Sequence, residues 1–153
     1  MYKIRAARAR DIDVLVEHRR RMFEEMVHPT PEELEVLEES YRKWAPELMR
    51  RRLLHGYIVT TGTGEVAASG CVWLRDTQPS PGRPAGKVPY LLSVYTRPEF
   101  RREGLASMVV KEAMEWARRK GYHKIVLHAS RAGRKVYSRL GWERTWEMEF
   151  NFE

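Results

Sequence analysis

The sequence predicts an α/β (α+β) fold in which one mixed, mostly antiparallel sheet packs against helices. Gly62-Thr63-Gly64 separates two β-rich runs, an arrangement typical of an antiparallel hairpin. Residues 90–128 read as a strand, an amphipathic helix and a second strand, which predicts a right-handed β-α-β unit with parallel strands. The 153 residues suffice for one compact domain over 1–153.

The N-terminal part of the chain carries signals for a strand and two helices. Apolar residues alternate in Tyr2–Ala6, and Asp11 is placed to cap a helix with one apolar face. Thr30–Glu33 combines a capping threonine, a proline at the first helical position and a glutamate three residues on, so a second helix begins there. We expect Pro46 to break or restart this helix, and residues 47–55 to end before Gly56.

The middle of the chain predicts the hairpin, a loop and the β-α-β unit. The hairpin strands are 57–61 and 65–75, paired antiparallel. Four prolines make 77–89 an expected exposed loop. A buried strand over 90–96 then leads into a helix that runs to Lys120.

Beyond that helix we expect a short strand at 124–128, a helix at 131–140 and a final half-buried strand. Large apolar residues alternate with Glu and Asn through 146–153, which favours a strand with one buried face. The whole prediction is a sheet of about seven strands with four to five helices. The free edge of the tail strand offers a pairing surface for a second copy, so the sequence allows a homodimer.

Composition limits the class of protein. No apolar run reaches membrane-spanning length and Met1–Arg10 shows no secretory signal, so we expect a cytoplasmic location without membrane partners. The lone Cys71 lies in an apolar run and reads as a core thiol, and no metal site is predicted. Arginine outnumbers lysine and side-chain amides are scarce, which fits a protein adapted to heat. The net charge of +7 suits either nucleic acid or a phosphorylated cofactor.

The most informative segment is 101–106, Arg-Arg-Glu-Gly-Leu-Ala, between the buried strand and the amphipathic helix. Free N–H groups and the positive dipole at a helix start bind phosphate, and small residues let it approach the main chain. A Walker loop would need a Lys-Ser/Thr pair after a longer glycine-spaced turn. A dinucleotide fingerprint would need three glycines, and only Gly104 is present.

The remaining pattern, Arg-x-x-Gly-x-Ala after a strand, resembles the pyrophosphate loop of the GNAT family of N-acetyltransferases. Downstream, the segment 137–142, Tyr-Ser-Arg-Leu-Gly-Trp, is similar to that family's Tyr-x-x-x-Gly-aromatic segment, and the order of elements agrees along the whole chain. The resemblance implies a GNAT fold with strands four and five splayed apart. It also implies transfer of an acetyl group from acetyl-CoA to a primary amine, either of a small molecule or of a protein.

The resemblance implies specific cofactor contacts. Backbone groups of strand four would bind the pantetheine arm, and the N–H groups before the helix would hold the pyrophosphate. Many relatives carry an asparagine where this chain has Ser130, so that contact is in doubt. The predicted cofactor-binding residues are Leu92, Ser93, Val94, Arg101, Arg102, Glu103, Gly104, Leu105, Ala106, Ser107, Ser130, Arg134 and Tyr137.

Three residues carry the implied catalysis. The main-chain N–H of Val94 would polarise the thioester carbonyl, and Tyr137 would protonate the leaving thiolate. Strand four carries no acid, so His128 at the end of strand five is the preferred base or member of a water relay. A histidine at a strand end is also a common structural hydrogen-bonding residue.

The family likeness places the acceptor against the first two helices and the proline-rich loop. The residues expected at the acceptor mouth are Glu24, Glu25, His28, Trp73, Arg75 and Tyr90. Glutamates on an amphipathic helix are often only its wet face. Two other classes stay open: an acyl-CoA-binding module without turnover, which Tyr137 disfavours, and a nucleic-acid-binding protein. The arginines are spread over most elements, so we expect no nucleic-acid partner.

Overall fold

A five-stranded sheet with strands in chain order is the centre of the computed structural model, which describes residues 1–153. The strands are β1 (Lys3–Ala6), β2 (Leu54–Thr60), β3 (Val66–Thr77), β4 (Gly86–Thr96) and β5 (Val126–Leu127). The helices are α1 (Ile12–Val27), α2 (Pro31–Arg50), α3 (Leu105–Arg119) and α4 (Arg134–Arg139).

The pairing confirms both the hairpin and the β-α-β unit. Strands β1 to β4 pair antiparallel in succession, and β5 lies parallel to β4. Only two residues of β4, Tyr90 and Leu91, face partners on β5. Beyond Leu91 the two strands separate, as the family resemblance implies, and the rest of β4 has a free edge.

Apolar side chains fill both faces of the sheet. Helix α3 covers one face with Leu105, Val109 and Ala113, which pack on Val72 and Leu91. Helices α1 and α2 cover the other face through a second cluster. That cluster contains Leu15, Val16, Tyr41, Ala45, Leu54, Ile58 and Cys71. The cysteine is fully buried, as its apolar surroundings predict.

Helix α2 begins as predicted but continues further than predicted. Thr30 and Glu33 form the reciprocal capping box, with Pro31 at the first helical position. Pro46 does not break the helix, because it lies on the exposed face, where water can satisfy the carbonyl left without its N–H partner. The helix ends at Arg50, and residues 54–56 belong to β2 rather than to a helical segment ending before Gly56.

Asp11 precedes α1 at the predicted capping position, but its side chain makes no cap hydrogen bond. Its buried carboxylate instead accepts two hydrogen bonds of 2.8 Å from Arg5 on β1. The proline-rich loop is shorter than predicted, because β3 extends to Thr77 and β4 starts at Gly86. Pro89 is a buried strand residue opposite Leu74.

The prediction of about seven strands is wrong. The tail residues Trp146, Met148, Phe150 and Phe152 are 79–96% exposed and form no strand. Alternating side chains form a strand only where a neighbouring strand supplies hydrogen bonds. No strand of this chain lies beside the tail. The strand predicted at 124–128 is reduced to β5, and the helix predicted at 131–140 is reduced to α4.

None of the four helices combines the length and the apolar character that crossing a bilayer requires.

Candidate active site

Strand β4 carries a bulge at the point where it leaves β5. The register with β3 passes from Cys71 opposite Leu92 to Ser69 opposite Tyr95, so β4 contains one extra residue there. Ser93 has a φ of 55°, in the left-handed region that residues other than glycine rarely adopt. Neither Ser93 nor Val94 has a register partner on β3 or on β5, so the edge of β4 that faces away from β3 is open at the bulge.

Gly70 lies across from this bulge. A Cβ at Gly70 would meet Val109 Cγ1 of α3 at 2.5 Å and Val94 Cγ2 at 3.3 Å. Such a contact is too close to form. Only glycine at position 70 of β3 therefore lets Val109 of α3 and Val94 of β4 pack so closely above it.

The segment before α3 presents a run of free amides. The N–H groups of residues 102–107 donate no hydrogen bond to any backbone or side-chain acceptor, and the first bonded amide is that of Met108 to Gly104 O. Arg102 and Gly104 have φ values of 67° and 79°, and Gly104 precedes the helix without a side-chain cap. Six consecutive unpaired donors at a helix start form a binding site for an anion such as pyrophosphate, which fits the predicted CoA contact.

We call the run of free amides at residues 102–107 the cradle. Two contacts hold it in place from opposite sides. Arg101 Nη2 donates to both carboxylate oxygens of Glu25 on α1 at 2.8 Å, and its Nε donates to Thr96 O at 3.0 Å. On the other side the Tyr2 hydroxyl donates to the Glu103 carboxylate. The side chain of Arg101, a predicted phosphate ligand, is thus already engaged with protein groups, whereas Arg102 has no ion-pair partner.

The Glu25 carboxylate also accepts a 2.9 Å hydrogen bond from the Tyr95 hydroxyl. Burial raises the pKa of Glu25, but the hydrogen bonds from Arg101 and Tyr95 outweigh burial, so the pKa lies below its usual value. A charged Glu25 at neutral pH joins α1 to the end of β4 and to the cradle.

A buried histidine supports β4 from behind the bulge. His18 on α1 is 1% exposed, its Nδ1 lies 2.7 Å from Ser69 Oγ, and its Nε2 accepts a 3.1 Å hydrogen bond from Arg97 Nε. Arginine only donates, so Nε2 is unprotonated and Nδ1 carries the hydrogen toward Ser69. Burial, reinforced by the charges of Arg97 and Arg21, lowers the pKa of His18 to about 4.

Tyr137 lies on α4 beside the open edge of β5. Its ring packs on Trp142 with centroids 5.8 Å apart, and burial raises the pKa of its hydroxyl. The Tyr137 ring leaves no room for a side chain at Gly133, where a Cβ would meet Cε2 at 2.9 Å. Tyr137 and His128 line the same cavity of about 340 Å³, so the predicted acid and base share one space.

The remaining predicted residues of this region have simpler roles. His128 is exposed at the end of β5 and forms no hydrogen bond. Ser130 Oγ accepts a 3.1 Å hydrogen bond from Gly133 N–H, so it orders the turn before α4. Arg134 lines the cavity and has no ion-pair partner.

The predicted acceptor residues divide into two groups. Glu24 is paired with Arg20 at 3.0 Å, Glu25 is paired with Arg101, and His28 ends α1 in an exposed left-handed conformation. Trp73, Arg75 and Tyr90 lie together instead. The ring centroids of Trp73 and Tyr90 are 6.4 Å apart. Cζ of the Arg75 guanidinium lies 5.6 Å from the Trp73 centroid and 4.7 Å from the Tyr90 centroid.

Arg19 is a residue of this region that the sequence reasoning missed. Its Nη1 donates to Ser93 Oγ at 2.7 Å, directly at the bulge. A signal was available, because Arg19 is four residues from both Leu15 and Phe23 and so interrupts the apolar stripe of α1. A charge on a buried stripe indicates a special partner. No cluster of metal-ligating side chains occurs anywhere in the structure.

Comparison with known proteins gives consistent matches. A model described as "Acetyltransferase (GNAT) family" matches residues 13–142. The chain is 25% identical to a GCN5-related N-acetyltransferase of Ralstonia eutropha, with a TM-score of 0.89 and 99% of each chain covered. It is 27% identical to a predicted acetyltransferase of Clostridium acetobutylicum solved with acetyl-CoA, with a TM-score of 0.86 and coverage of 99% and 96%.

A likeness in fold alone extends to an aminoglycoside N-acetyltransferase in complex with CoA. That enzyme is 19% identical, with a TM-score of 0.70 and coverage of 100% of this chain and 95% of its own. No curated protein matches the sequence.

Proposed function

The chain belongs to the acetyltransferase (GNAT) family and uses acetyl-CoA, and from this membership we propose that it acetylates a primary amine by direct attack within a ternary complex. The observation that carries the proposal is a pair of open backbone segments: the bulge at residues 93–94 on the edge of β4, and the unbonded amides of residues 102–107 before α3. One segment suits the reacting thioester and the other suits the pyrophosphate of the same molecule.

The cofactor contacts follow from these free donors. Bound acetyl-CoA supplies an acetyl group already activated as a thioester. The amides of residues 102–107 would hold its pyrophosphate, with Arg102 and Arg134 as unpaired cations near its phosphates. Leu92 and Ser93 would bind the pantetheine arm through backbone groups on the free edge of β4.

Val94 N–H is proposed to stabilise negative charge on the thioester oxygen during attack. The bulge leaves Val94 without a register partner on β3 or β5, and a fixed backbone donor needs no reorganisation when the charge develops. Arg19 holds Ser93 through its hydroxyl, which keeps the bulge in one conformation.

Tyr137 is proposed as the acid that protonates the departing thiolate. Burial raises the pKa of its hydroxyl, so the phenol keeps its proton at neutral pH and can deliver it. Tyr137 lines the cavity beside β5 together with His128 and Arg134.

His128 is proposed to receive the proton of the attacking amine, directly or through water. Strand β4 offers no carboxylate, and Glu24 and Glu25 are both engaged with arginines. His128 carries the imidazole in the cavity that also holds Tyr137.

The decisive experiment is a thioester-cleavage screen, in which CoA release from acetyl-CoA is measured over a panel of amines. At least one amine should accelerate CoA release and appear acetylated by mass spectrometry. Acetyl-CoA should also raise the melting temperature. Binding of acetyl-CoA without cleavage in the presence of any amine would refute the acetyl-transfer proposal.

The exposed tail is proposed to pair with a second copy, giving a homodimer. The tail carries an alternating apolar face that has no partner within the chain. Pairing with a second copy would bury this face.

A further inference from the structure

Arg19 lies at the bulge with an unusual set of neighbours. Its guanidinium packs between the rings of Phe23 and Tyr41, 5.0 and 5.4 Å from their centroids, while Nη1 reaches Ser93. Nε is buried without a hydrogen-bond partner, and Nη2 makes no hydrogen bond. Protein atoms therefore cover Nε, whereas Nη2 is both unbonded and accessible to a ligand.

No carboxylate neutralises this charge. The glutamates of α1 are taken by other cations: Glu17 by Arg21 and Arg97, Glu24 by Arg20, and Glu25 by Arg101. A partly buried guanidinium without a counter-ion is unfavourable, and an anionic ligand relieves that cost.

A second unpaired cation lies on the same face of the sheet. Arg75 forms no ion pair or hydrogen bond, while its neighbour Asp76 pairs with Lys87 across the hairpin. Ring contacts of 5.7, 5.4 and 6.4 Å join Tyr41 to Trp44, Trp44 to Trp73, and Trp73 to Tyr90. We call the connected set the arginine-aromatic wall: Arg19, Tyr41, Trp44, Trp73, Arg75 and Tyr90.

We infer that the acceptor is a primary amine that also carries a carboxylate and an apolar or aromatic body. The inference rests on the proposed function and specifies its substrate class. The accessible Nη2 of Arg19 and its uncompensated charge match a carboxylate, and the half-buried rings of Trp73 and Tyr90 match an apolar body. Arg75, at the other end of the wall, adds positive charge that favours the same sign of ligand.

The same charges disfavour polycationic acceptors. Glu24 and Glu25 are the residues that would attract such amines, but they already form ion pairs with Arg20 and Arg101. An additional ammonium group near Arg19 would meet an uncompensated guanidinium.

Matched amines test the inference on the unmodified protein. Each set shares one aromatic or aliphatic body and amine, and carries a carboxylate, a carboxamide or hydrogen at the second position. The kcat/KM measured by CoA release should be about tenfold or more higher for the carboxylate than for its carboxamide. Equal values for the three members would overturn the inference.

Variants then locate the recognition. In Arg19→Gln the ratio of kcat/KM for the carboxylate to kcat/KM for the carboxamide should fall toward one, whatever the overall rate of the variant, and Arg75→Gln should lower this ratio less. Arg20→Gln is the matched control on the same helix, since Arg20 is paired with Glu24 and Glu38, and it should keep the full preference. Unchanged preference in both Arg19→Gln and Arg75→Gln would overturn the assignment.

Different results would refute the acetyl-transfer proposal and the proposed substrate class. If no amine accelerates CoA release although acetyl-CoA raises the melting temperature, the acetyl-transfer proposal fails. If amines react without regard to the carboxylate, only the substrate class fails. A melting-temperature shift with acetyl-CoA in each variant shows that the variant is folded, and the matched amines test the inference even where a variant does not fold.

Discussion

At the residue scale, His18 makes the stability of this fold depend on pH. Its neutral ring is held between Ser69 and Arg97, and burial lowers its pKa to about 4. In the unfolded chain the same ring has the ordinary pKa of 6.5 and binds a proton first as the pH falls. The stabilisation is therefore present above pH 6.5 and is lost progressively as the pH falls toward about 4.

We predict that the free energy of unfolding falls by about 2 kcal/mol between roughly pH 7.5 and roughly pH 5. Urea titrations at the two pH values measure the change, and His18→Gln should remove most of it. The exposed His28→Gln serves as the control and should keep the dependence of the unmodified protein. The same pH dependence in His18→Gln would contradict the assignment.

A second residue-scale prediction concerns Tyr137. Tyr137→Phe should lower kcat by about tenfold to a hundredfold without abolishing turnover, because a CoA thiolate is already a fair leaving group. The acetyl-CoA affinity should stay unchanged, which isothermal titration checks. Tyr122→Phe, a tyrosine stacked on Trp116 away from the cavity, is the control. Unchanged turnover in Tyr137→Phe would eliminate the acid role.

Individual partners were the hardest part of the site to predict. Local sequence pattern predicts the cradle and a role for Tyr137, because glycine, small residues and spacing are visible in a short window. The ion pair between Arg101 and Glu25 joins residues 76 positions apart, and no local pattern encodes it. Both residues were therefore predicted as ligand contacts, whereas the structure engages them with each other.

At the scale of elements, α3 provides its own matched experiment. Gly104 at its start and Gly121 after its end have nearly equal φ values of 79° and 83°, and a Cβ at either would meet no protein atom within 4 Å. Alanine at either position should destabilise the fold by about 1 kcal/mol, because its Cβ is strained in this conformation.

Only Gly104→Ala should also weaken CoA binding, by about tenfold, because its methyl group would enter the space proposed for the pyrophosphate. Isothermal titration with CoA measures this difference, and thermal unfolding measures the shared strain. Equal affinities in Gly104→Ala and Gly121→Ala would place the pyrophosphate elsewhere.

The elements themselves were largely predictable. Capping at Thr30, the glycine turn at 62–64 and the stop at Gly121 are local chemistry, and the structure confirms each. Pro46 shows the limit of local rules, since a proline on the wet face of a packed helix is tolerated by its surroundings. The bulge at Ser93 had no sequence signal, because it follows from how β4 pairs with β3 and packs beneath α3.

At the scale of the whole molecule, the tail is the part in which the structure of the single chain differs most from the sequence prediction. The alternation through 146–153 predicts a strand, and the isolated chain leaves that strand without a partner. A pattern of side chains shows that a segment suits a sheet edge, but it does not show which chain supplies the edge.

We predict that the protein is a dimer by light scattering coupled to size exclusion. The combined Trp146→Ser and Phe150→Ser variant should shift the population to monomer, because it removes apolar side chains exposed in the single chain. Glu147→Gln with Glu149→Gln, on the opposite face of the tail, is the control and should leave the dimer intact. A monomer at all concentrations tested would exclude pairing through the tail.

The contact at Gly70 limits how this protein can change over generations. Every replacement of glycine adds at least a methyl group, and at this position that group would overlap Val109 on the helix and crowd Val94 on the bulged strand. A lineage cannot enlarge residue 70 unless Val109 or Val94 becomes smaller in the same step. We therefore expect helix α3 and the bulged strand β4, which carry the proposed phosphate site and the proposed amide donor, to vary together as one inherited unit.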